Sequence, residues 1–139
     1  MFTGINSFAA QRGAEITSIL ELWSRYEKYG EEYFHATDEK DEQRHFLDLL
    51  NYIDNICYIY NRRRANRAVL NSIEAIASGF LVTTATRFDI DELLRTFGAN
   101  DIAFPEIEEF RRSNGALLRR KSLKLKGSIY DPLAGLDSD

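Results

Sequence analysis

The sequence NYIDNICYIYNRRRANRAVLN, from Asn51 to Asn71, carries two apolar repeats separated by a short polar interval. Apolar side chains recur every three or four residues around this interval, which is the spacing of one helix face. No proline or glycine lies between Glu31 and Ser78, so the sequence predicts two long helices here. The predicted inward faces are Phe46, Leu49, Leu50, Ile53, Ile56, Cys57 and Tyr60 before the interval, and Val69, Ile73, Ile76, Ala77 and Phe80 after it.

The interval NRRRAN, residues 61–66, determines how these two helices are arranged. A turn there produces a helical hairpin whose two apolar faces meet, whereas continued helix produces one long bent rod. We favour the hairpin, because two facing apolar surfaces close a core better than a single rod does.

A further amphipathic helix is predicted on the N-terminal side of this pair. It begins near Ser7 or Gly13 and ends at Tyr29, with Gly30 in the left-handed position that commonly follows a helix. An acidic link, EEYFHATDEKDEQ, comes next, and one of residues 37–38 is expected to cap the second helix. The apolar face of the first helix is predicted to be Ile16, Ile19, Leu20, Trp23 and Tyr26.

Shorter helices are predicted on the C-terminal side. Past Gly79 the segment FLVTTATRF is rich in β-branched residues and less helical in character. Asp89 or Asp91 is then expected to cap a short helix, IDELLRTF, which ends at Gly98.

The last predicted helix lies in FPEIEEFRRSNG, with Pro105 in its first turn and Gly115 as its stop. The segment LKLKGSIYDPLAGLDSD has no helical period and is predicted to be a strand or a flexible tail. We therefore predict an all-α protein. A small bundle of three main helices, with one or two short helices, occupies residues 1–115, and a basic then acidic extension occupies residues 116–139.

Length and composition place the chain among globular soluble proteins. Its 139 residues are enough for one domain, and 44% apolar with 29% charged residues is not a disordered composition. The single cysteine, Cys57, excludes an internal disulfide, and the first 15 residues do not resemble a secretory signal. The most apolar window, GFLVTTA, is far shorter than the roughly 20 apolar residues of a membrane span. We therefore expect a cytoplasmic protein.

Charge is distributed unevenly along the chain, whose formal net charge is −4. Residues 1–110 carry 11 Lys/Arg and 19 Asp/Glu, whereas residues 111–126 carry seven Lys/Arg and no acid. Residues 127–139 add three aspartates. An acidic body with a basic strip near its end favours recognition of a charged partner.

Arg62, Arg63, Arg64 and Arg67 allow two interpretations. In the structural one, the first three offset the dipole at a helix C-terminus, by roughly 0.3–1 kcal/mol each. They then pair with acids of residues 38–42 or with the C-terminal aspartates. In the functional one, the arginines bind a partner protein, or they bind phosphates while Tyr58 stacks on a base. An acidic body repels a polyanion, which favours a protein partner over nucleic acid.

No catalytic, cofactor or metal site is predicted. Two Glu-x-x-His patterns occur, at residues 32–35 and 42–45, but they are too close in sequence to face each other from separate long helices. Cys57 lies within an apolar face, which is typical of an inert core thiol. Phosphate-binding glycine loops and the Gly-x-Ser-x-Gly motif are absent from the sequence.

We therefore predict a non-enzymatic protein–protein interaction module of the inhibitor or adaptor type, which could form a homodimer. A nucleic-acid-associated protein is the alternative, and a metal-binding helical enzyme is the third. A membrane surface is not expected, since KSLKLK offers only two leucines as an anchor. The candidate partner-binding residues are Arg62, Arg63, Arg64, Arg67, Arg119, Arg120, Lys121, Lys124, Lys126 and Tyr130.

Overall fold

The computed structural model of the chain describes residues 11–98, 104–125 and 130–136, with the side chains of the first helix described from Ile19 onward. These residues form six helices and no strand, so the predicted all-α bundle is confirmed. Three helices are long and three are short, which is one short helix more than the upper number predicted. The helices are α1 (Gln11–Phe34), α2 (Glu39–Asn61), α3 (Arg67–Ala85), α4 (Ile90–Phe97), α5 (Pro105–Ser113) and α6 (Gly115–Leu123).

The helices α2 and α3 form the predicted hairpin and supply most of the core. They pack against each other, and every residue of the two predicted inward faces is buried. Ile53, Cys57 and Ile73 are completely inaccessible to solvent. The predicted cap Asp38 begins α2 by accepting a 2.8 Å hydrogen bond from the backbone N–H of Asp41. Apolar burial along both helices is therefore the main stabilising contribution to this part of the fold.

The helix α2 ends inside NRRRAN. Backbone N–H groups of this segment donate to carbonyls in the last turn of the helix. The N–H of Arg64 donates to the carbonyl of Ile59 at 3.0 Å, and that of Arg63 donates to the carbonyl of Tyr60 at 3.1 Å. This pair of bonds is the Schellman motif, in which the residue after the helix C-cap has a left-handed backbone conformation. Arg63 occupies that position with φ of 52°, although glycine is the residue that adopts it without steric cost.

Glycine at position 63 is therefore expected to stabilise the protein relative to alanine at the same position. Both substitutions remove the arginine side chain, so their difference isolates the left-handed backbone. We expect Arg63→Gly to exceed Arg63→Ala by about 1 kcal/mol in free energy of unfolding in urea. Equal stability of the two variants would contradict the assigned turn geometry.

The helix α3 begins at once after this turn and continues past Gly79. Asn66 caps it, its side-chain oxygen accepting from the N–H of Val69 at 2.9 Å. The prediction that helix weakens after Gly79 is wrong, because burial of the β-branched Val82 and of Thr84 in the core outweighs their lower helix propensity. By length and composition alone α3 would suit a membrane span, but half of that apolar window is buried inside this bundle.

The helix α1 extends beyond its predicted end at Tyr29. Gly30 lies inside the helix rather than after it. The rings of Tyr29 and Tyr52 have centroids 5.2 Å apart, and those of Tyr33 and Phe46 are 5.1 Å apart. These contacts on both sides of Gly30 offset the roughly 1 kcal/mol that a glycine costs in a helix interior.

The predicted inward face of α1 is correct only in part. Ile19 and Tyr26 pack on the core as predicted, whereas Leu20 and Trp23 are exposed, with 65% and 39% of their surface accessible. The side chain of Ile16 lies outside the described part of the chain. The stripe that packs on the core follows a neighbouring three-and-four series, in which most members are tyrosines, and it contacts α2 and α3. Its described members are Ile19, Leu22, Tyr26, Tyr29 and Tyr33.

The short helix α4 matches its prediction, whereas the end of the chain does not. Asp89 caps α4 and Gly98 follows it, as expected. The helix α5 begins at Pro105 and ends at Ser113, just before the predicted stop at Gly115. A helix that was not predicted, α6, begins at Gly115 and packs on α3 through the fully buried Leu118. Residues 116–123, predicted as the start of the extension, are therefore helical and contribute to the core.

A side chain of α2 caps the helix α5. Phe104 precedes α5 and makes no side-chain capping bond of its own. The Asp54 carboxylate on α2 accepts 3.0 Å bonds from the backbone N–H groups of Glu106 and Ile107. Burial raises the pKa of Asp54, although these two bonds act in the opposite direction.

Two substitutions at Asp54 are expected to separate the effect of the cap from that of the charge. Asp54→Asn keeps the accepting oxygen and removes the charge, whereas Asp54→Ala removes both and is expected to be less stable than Asp54→Asn by about 1–2 kcal/mol. Because the folded-state pKa of Asp54 is raised, the wild type gains stability relative to Asp54→Asn as pH falls through that pKa. The gain is complete once pH is below the ordinary aspartate value.

Urea unfolding of the two variants and the wild type, from neutral to acidic pH, measures both effects. A constant difference between wild type and Asp54→Asn across this pH range would show that burial of the carboxylate has no energetic consequence. Equal stability of the asparagine and alanine variants would show that the cap has none.

Candidate functional site

The arginine turn is defined as residues 62–64. Its first residue, Arg62, is exposed but forms contacts with other side chains of the same molecule. The guanidinium of Arg62 lies 2.7 Å from the Glu106 carboxylate and 4.1 Å from the ring centroid of Tyr58. This hydrogen bond lowers the pKa of Glu106, which also accepts a bond from the side chain of Asn61. The acid that pairs with Arg62 is thus on α5, not in residues 38–42 or among the C-terminal aspartates.

Tyr60, which contacts the second arginine of the turn, connects the turn to the start of α6. The guanidinium of Arg63 lies 4.6 Å from the ring centroid of Tyr60. The hydroxyl of Tyr60 donates to the Glu74 carboxylate at 2.7 Å and lies 3.2 Å from the side-chain oxygen of Asn114. Burial, together with the Glu74 bond, raises the pKa of Tyr60. Asn114 immediately precedes α6, so the arginine turn and the start of α6 are neighbours in space.

Arg64 and Arg67 remain exposed to solvent. Within the part of the chain that the structure describes, neither forms an ion pair. Arg67 is the first residue of α3, where the helix dipole disfavours a cation. Helix stability therefore does not account for Arg67, and both side chains are available to a partner.

The outward surface of α6, called here the basic face, presents Arg119, Arg120, Leu123 and Lys124. These positions share one side of the helix, because they are spaced by three and four residues. Leu118 lies on the opposite side and holds α6 against α3. Among residues 11–98, 104–125 and 130–136, no carboxylate forms a salt bridge with the basic face, and Leu123 is 87% exposed.

Lys121 does not belong to this outward surface. Its ammonium group donates a 2.7 Å hydrogen bond to the hydroxyl of Ser78, which is fully buried on α3. This bond satisfies a polar group in the core, which gives Lys121 a structural role. Lys126, also a predicted partner-binding residue, lies outside the described residues.

Tyr130 lies far from the arginine turn. Its backbone N–H donates to the carbonyl of Ala85 at 3.1 Å, at the C-terminal end of α3. The arginine turn precedes the other end of this helix, roughly 27 Å away at 1.5 Å per residue. The Tyr130 ring instead lines a cleft of about 200 Å³ with Phe88 and Phe97. The structure therefore does not bring Tyr130 together with the predicted arginines.

Arg111 is a residue whose role the sequence interpretation missed, because it was counted in the basic strip. It is 2% exposed, and its guanidinium donates to the backbone carbonyls of Pro132 (3.0 Å) and Ala134. Burial lowers the pKa of Arg111. Its position four residues after the buried Ile107 is the signal that places it on the inward face of α5.

The cysteine and the two histidines are the residues whose side chains most often serve catalysis or metal binding. Cys57 is buried as predicted, and burial raises the pKa of its thiol well above the ordinary value, which opposes thiolate formation. His35 is exposed at the end of α1, whereas His45 lies on α2, with Nε2 3.4 Å from the Asp41 carboxylate. In the described ranges, no three His, Cys, Asp or Glu side chains are arranged to hold a metal ion.

The candidate site is therefore the basic face of α6. Three of the ten predicted residues, Arg119, Arg120 and Lys124, form its cationic part. Arg64 and Arg67 are exposed at the start of α3, whereas the Lys121–Ser78 bond places the basic face further along that helix. Comparison of the chain with protein-family models, with curated proteins and with solved structures found no match, so its functional interpretation depends on this site alone.

Proposed function

We propose that this protein is a non-enzymatic interaction module that binds an acidic protein partner through the basic face. The observation that carries the proposal is the combination on a single helix side of one exposed leucine and cations that pair with no carboxylate of the described residues. Arg119, Arg120 and Lys124 provide charge for orientation and rapid association, and Leu123 provides apolar contact area. This composition suits docking of α6 into a groove that has an acidic rim.

The internal contacts of the other cations favour a protein partner over nucleic acid. Arg62 is engaged by Glu106, Arg63 lies over Tyr60, and Lys121 is bonded to Ser78. Fewer cations therefore remain for phosphate neutralisation than the sequence implies. The excess of acid over residues 1–110 opposes the approach of a polyanion as well.

A nucleic-acid partner is the second candidate, and one observation favours it. The ring of Tyr58 is 40% exposed beside the guanidinium of Arg62, an arrangement on which a base can stack. This candidate requires affinity that falls steeply with salt, in proportion to the number of phosphates neutralised.

Reversing the charge of the basic face is expected to abolish partner binding. We expect Arg119→Glu/Arg120→Glu to weaken capture of the partner from extracts of the native cell by at least about tenfold. Lys28→Glu/Lys40→Glu is the matched control, since it makes the same change in net charge at exposed positions on α1 and α2. Capture is quantified by mass spectrometry against the wild type.

Two outcomes would decide against the proposal. Unchanged capture by the Arg119/Arg120 variant would show that the basic face is not the binding surface. Tight binding of a fluorescent oligonucleotide at low salt, lost in this variant and falling steeply with salt, would replace the protein partner by nucleic acid.

A further inference from the structure

A second surface, which no other described part of the chain covers, runs along the outside of α1. It consists of Leu20, Trp23, Glu27, Gly30 and Phe34, which we call the α1 stripe. These positions are spaced by three and four residues and therefore share one side of the helix. Leu20 and Phe34 are 65% and 82% exposed, and a Cβ atom at Gly30 would meet no atom within 4 Å. An apolar surface of this kind on a small protein is typical of an interface.

The charge around the α1 stripe is acidic. Glu27 lies in the stripe, and Glu31 follows one helical turn later, both exposed. Neither carboxylate forms a salt bridge with a cation among the residues that the structure describes. A matching surface therefore needs basic groups beside an exposed apolar side chain, on an element narrow enough to lie along a helix.

The basic face of this same protein has those properties. It places Arg119, Arg120 and Lys124 around the exposed Leu123 on a single helix side. The α6 helix is turned away from the α1 stripe of its own chain, because Leu118 holds its opposite side against α3. The contact is therefore available only between two molecules.

We propose that the basic face of one copy binds the α1 stripe of a second copy. The proposal rests on the proposed function, because it uses the same basic face and names the acidic partner as another molecule of this chain. Leucine and tryptophan of the stripe contact Leu123, while Glu27 and Glu31 face Arg119 and Arg120. The two surfaces differ, so the contact is head-to-tail and adds molecules until a ring closes or concentration limits growth.

Sedimentation velocity of the full chain, from low micromolar to several hundred micromolar, tests this association. We expect average mass to increase with protein concentration and to decrease with added salt, which screens the charged contacts. Trp23 is the single tryptophan of the chain, so its emission is expected to shift to shorter wavelength as its ring is buried by the second copy.

Reversing the charge of each surface in turn tests whether the two surfaces pair with each other. Arg119→Glu/Arg120→Glu and Glu27→Arg/Glu31→Arg are each expected to lower the self-association constant by at least about tenfold. An equimolar mixture of the two variants is expected to associate again, because each then presents a face complementary to the other. Recovery in the mixture also shows that neither variant failed to fold.

The outcomes distinguish this inference from the proposed function. A monomer at every concentration, with partner capture that still requires Arg119 and Arg120, overturns self-association and leaves the proposed function in place. Self-association that the Arg119/Arg120 variant does not weaken overturns the inference, and the capture experiment then decides the proposed function separately. Failure of the mixture to associate contradicts the pairing of these two faces.

Discussion

Replacing Ile53 with aspartate is expected to unfold the protein. Ile53 has no accessible surface and lies at the centre of the α2 face that packs on α3. The substitution removes roughly 1.5–3 kcal/mol of apolar burial. It also places an unpaired carboxylate in the core, which costs several kcal/mol more whether the group stays charged or takes up a proton. The total is comparable with the roughly 5–15 kcal/mol stability of a typical domain.

Circular dichroism at room temperature and urea titration measure this effect. Asn51→Asp is the matched control, because it introduces the same side chain at an exposed position of the same helix. We expect the control to unfold cooperatively, within about 0.5 kcal/mol of the wild type. A cooperative transition of Ile53→Asp near that of the wild type would contradict the assignment of the core face of α2.

Truncation of Arg111 to alanine is expected to produce the second largest loss of stability. The buried guanidinium bonds the carbonyls of Pro132 and Ala134, and thereby holds residues 130–136 against α5. Hydrogen bonds to a charged group contribute about 1.5–3 kcal/mol each, and the carbonyls left behind lack a donor. The substitution also removes a buried charge, whose desolvation destabilises the folded state, and this offsets part of the loss. We expect a net decrease of about 3 kcal/mol in the free energy of unfolding.

Amide hydrogen exchange identifies the segment that is released. In the wild type, the Tyr130 amide is bonded to the Ala85 carbonyl, and we expect Arg111→Ala to remove its protection. Arg112→Ala is the matched control, since Arg112 is exposed and its 2.8 Å contact with Glu108 is a surface ion pair. Arg111→Met, which keeps most of the stem volume, separates packing from hydrogen bonding. Retained protection of Tyr130 in Arg111→Ala would contradict this anchoring role.

The parts of the fold that the sequence predicted are those with strict local signals. The α2 and α3 faces follow the helix period with few interruptions, and Asp89 and Gly98 mark the ends of α4 by their capping chemistry. Leu20 and Trp23 were wrongly assigned to the inward face of α1, because Tyr29 and Tyr33 continue the packed stripe. Gly30 was wrongly predicted to end α1, because aromatic contacts on both sides of it outweigh its intrinsic preference for ending helices. The helix α6 was not predicted, because its rotation onto α3 depends on tertiary contacts.

The candidate site was predictable only in its charge. Arg119 and Arg120 were identified from composition, and they lie on an outward surface. That Lys121 turns inward depends on how α6 is rotated against α3, which no local pattern specifies. The partner of Arg62 is Glu106, 44 residues away in sequence, and only the assembled bundle brings these two side chains together.

The capping of α5 by Asp54 has a consequence for the order of folding. A nine-residue helix is too short to persist by itself in water, and this one lacks a capping side chain before it. The α2–α3 hairpin, in contrast, closes through contacts that are close in sequence, which are formed fastest. We therefore expect the hairpin to act as a template on which α5 forms late. The bonds of Arg111 to residues 132 and 134 are expected to form afterwards. Slowing of refolding by Asp54→Ala would then be confined to the last kinetic phase.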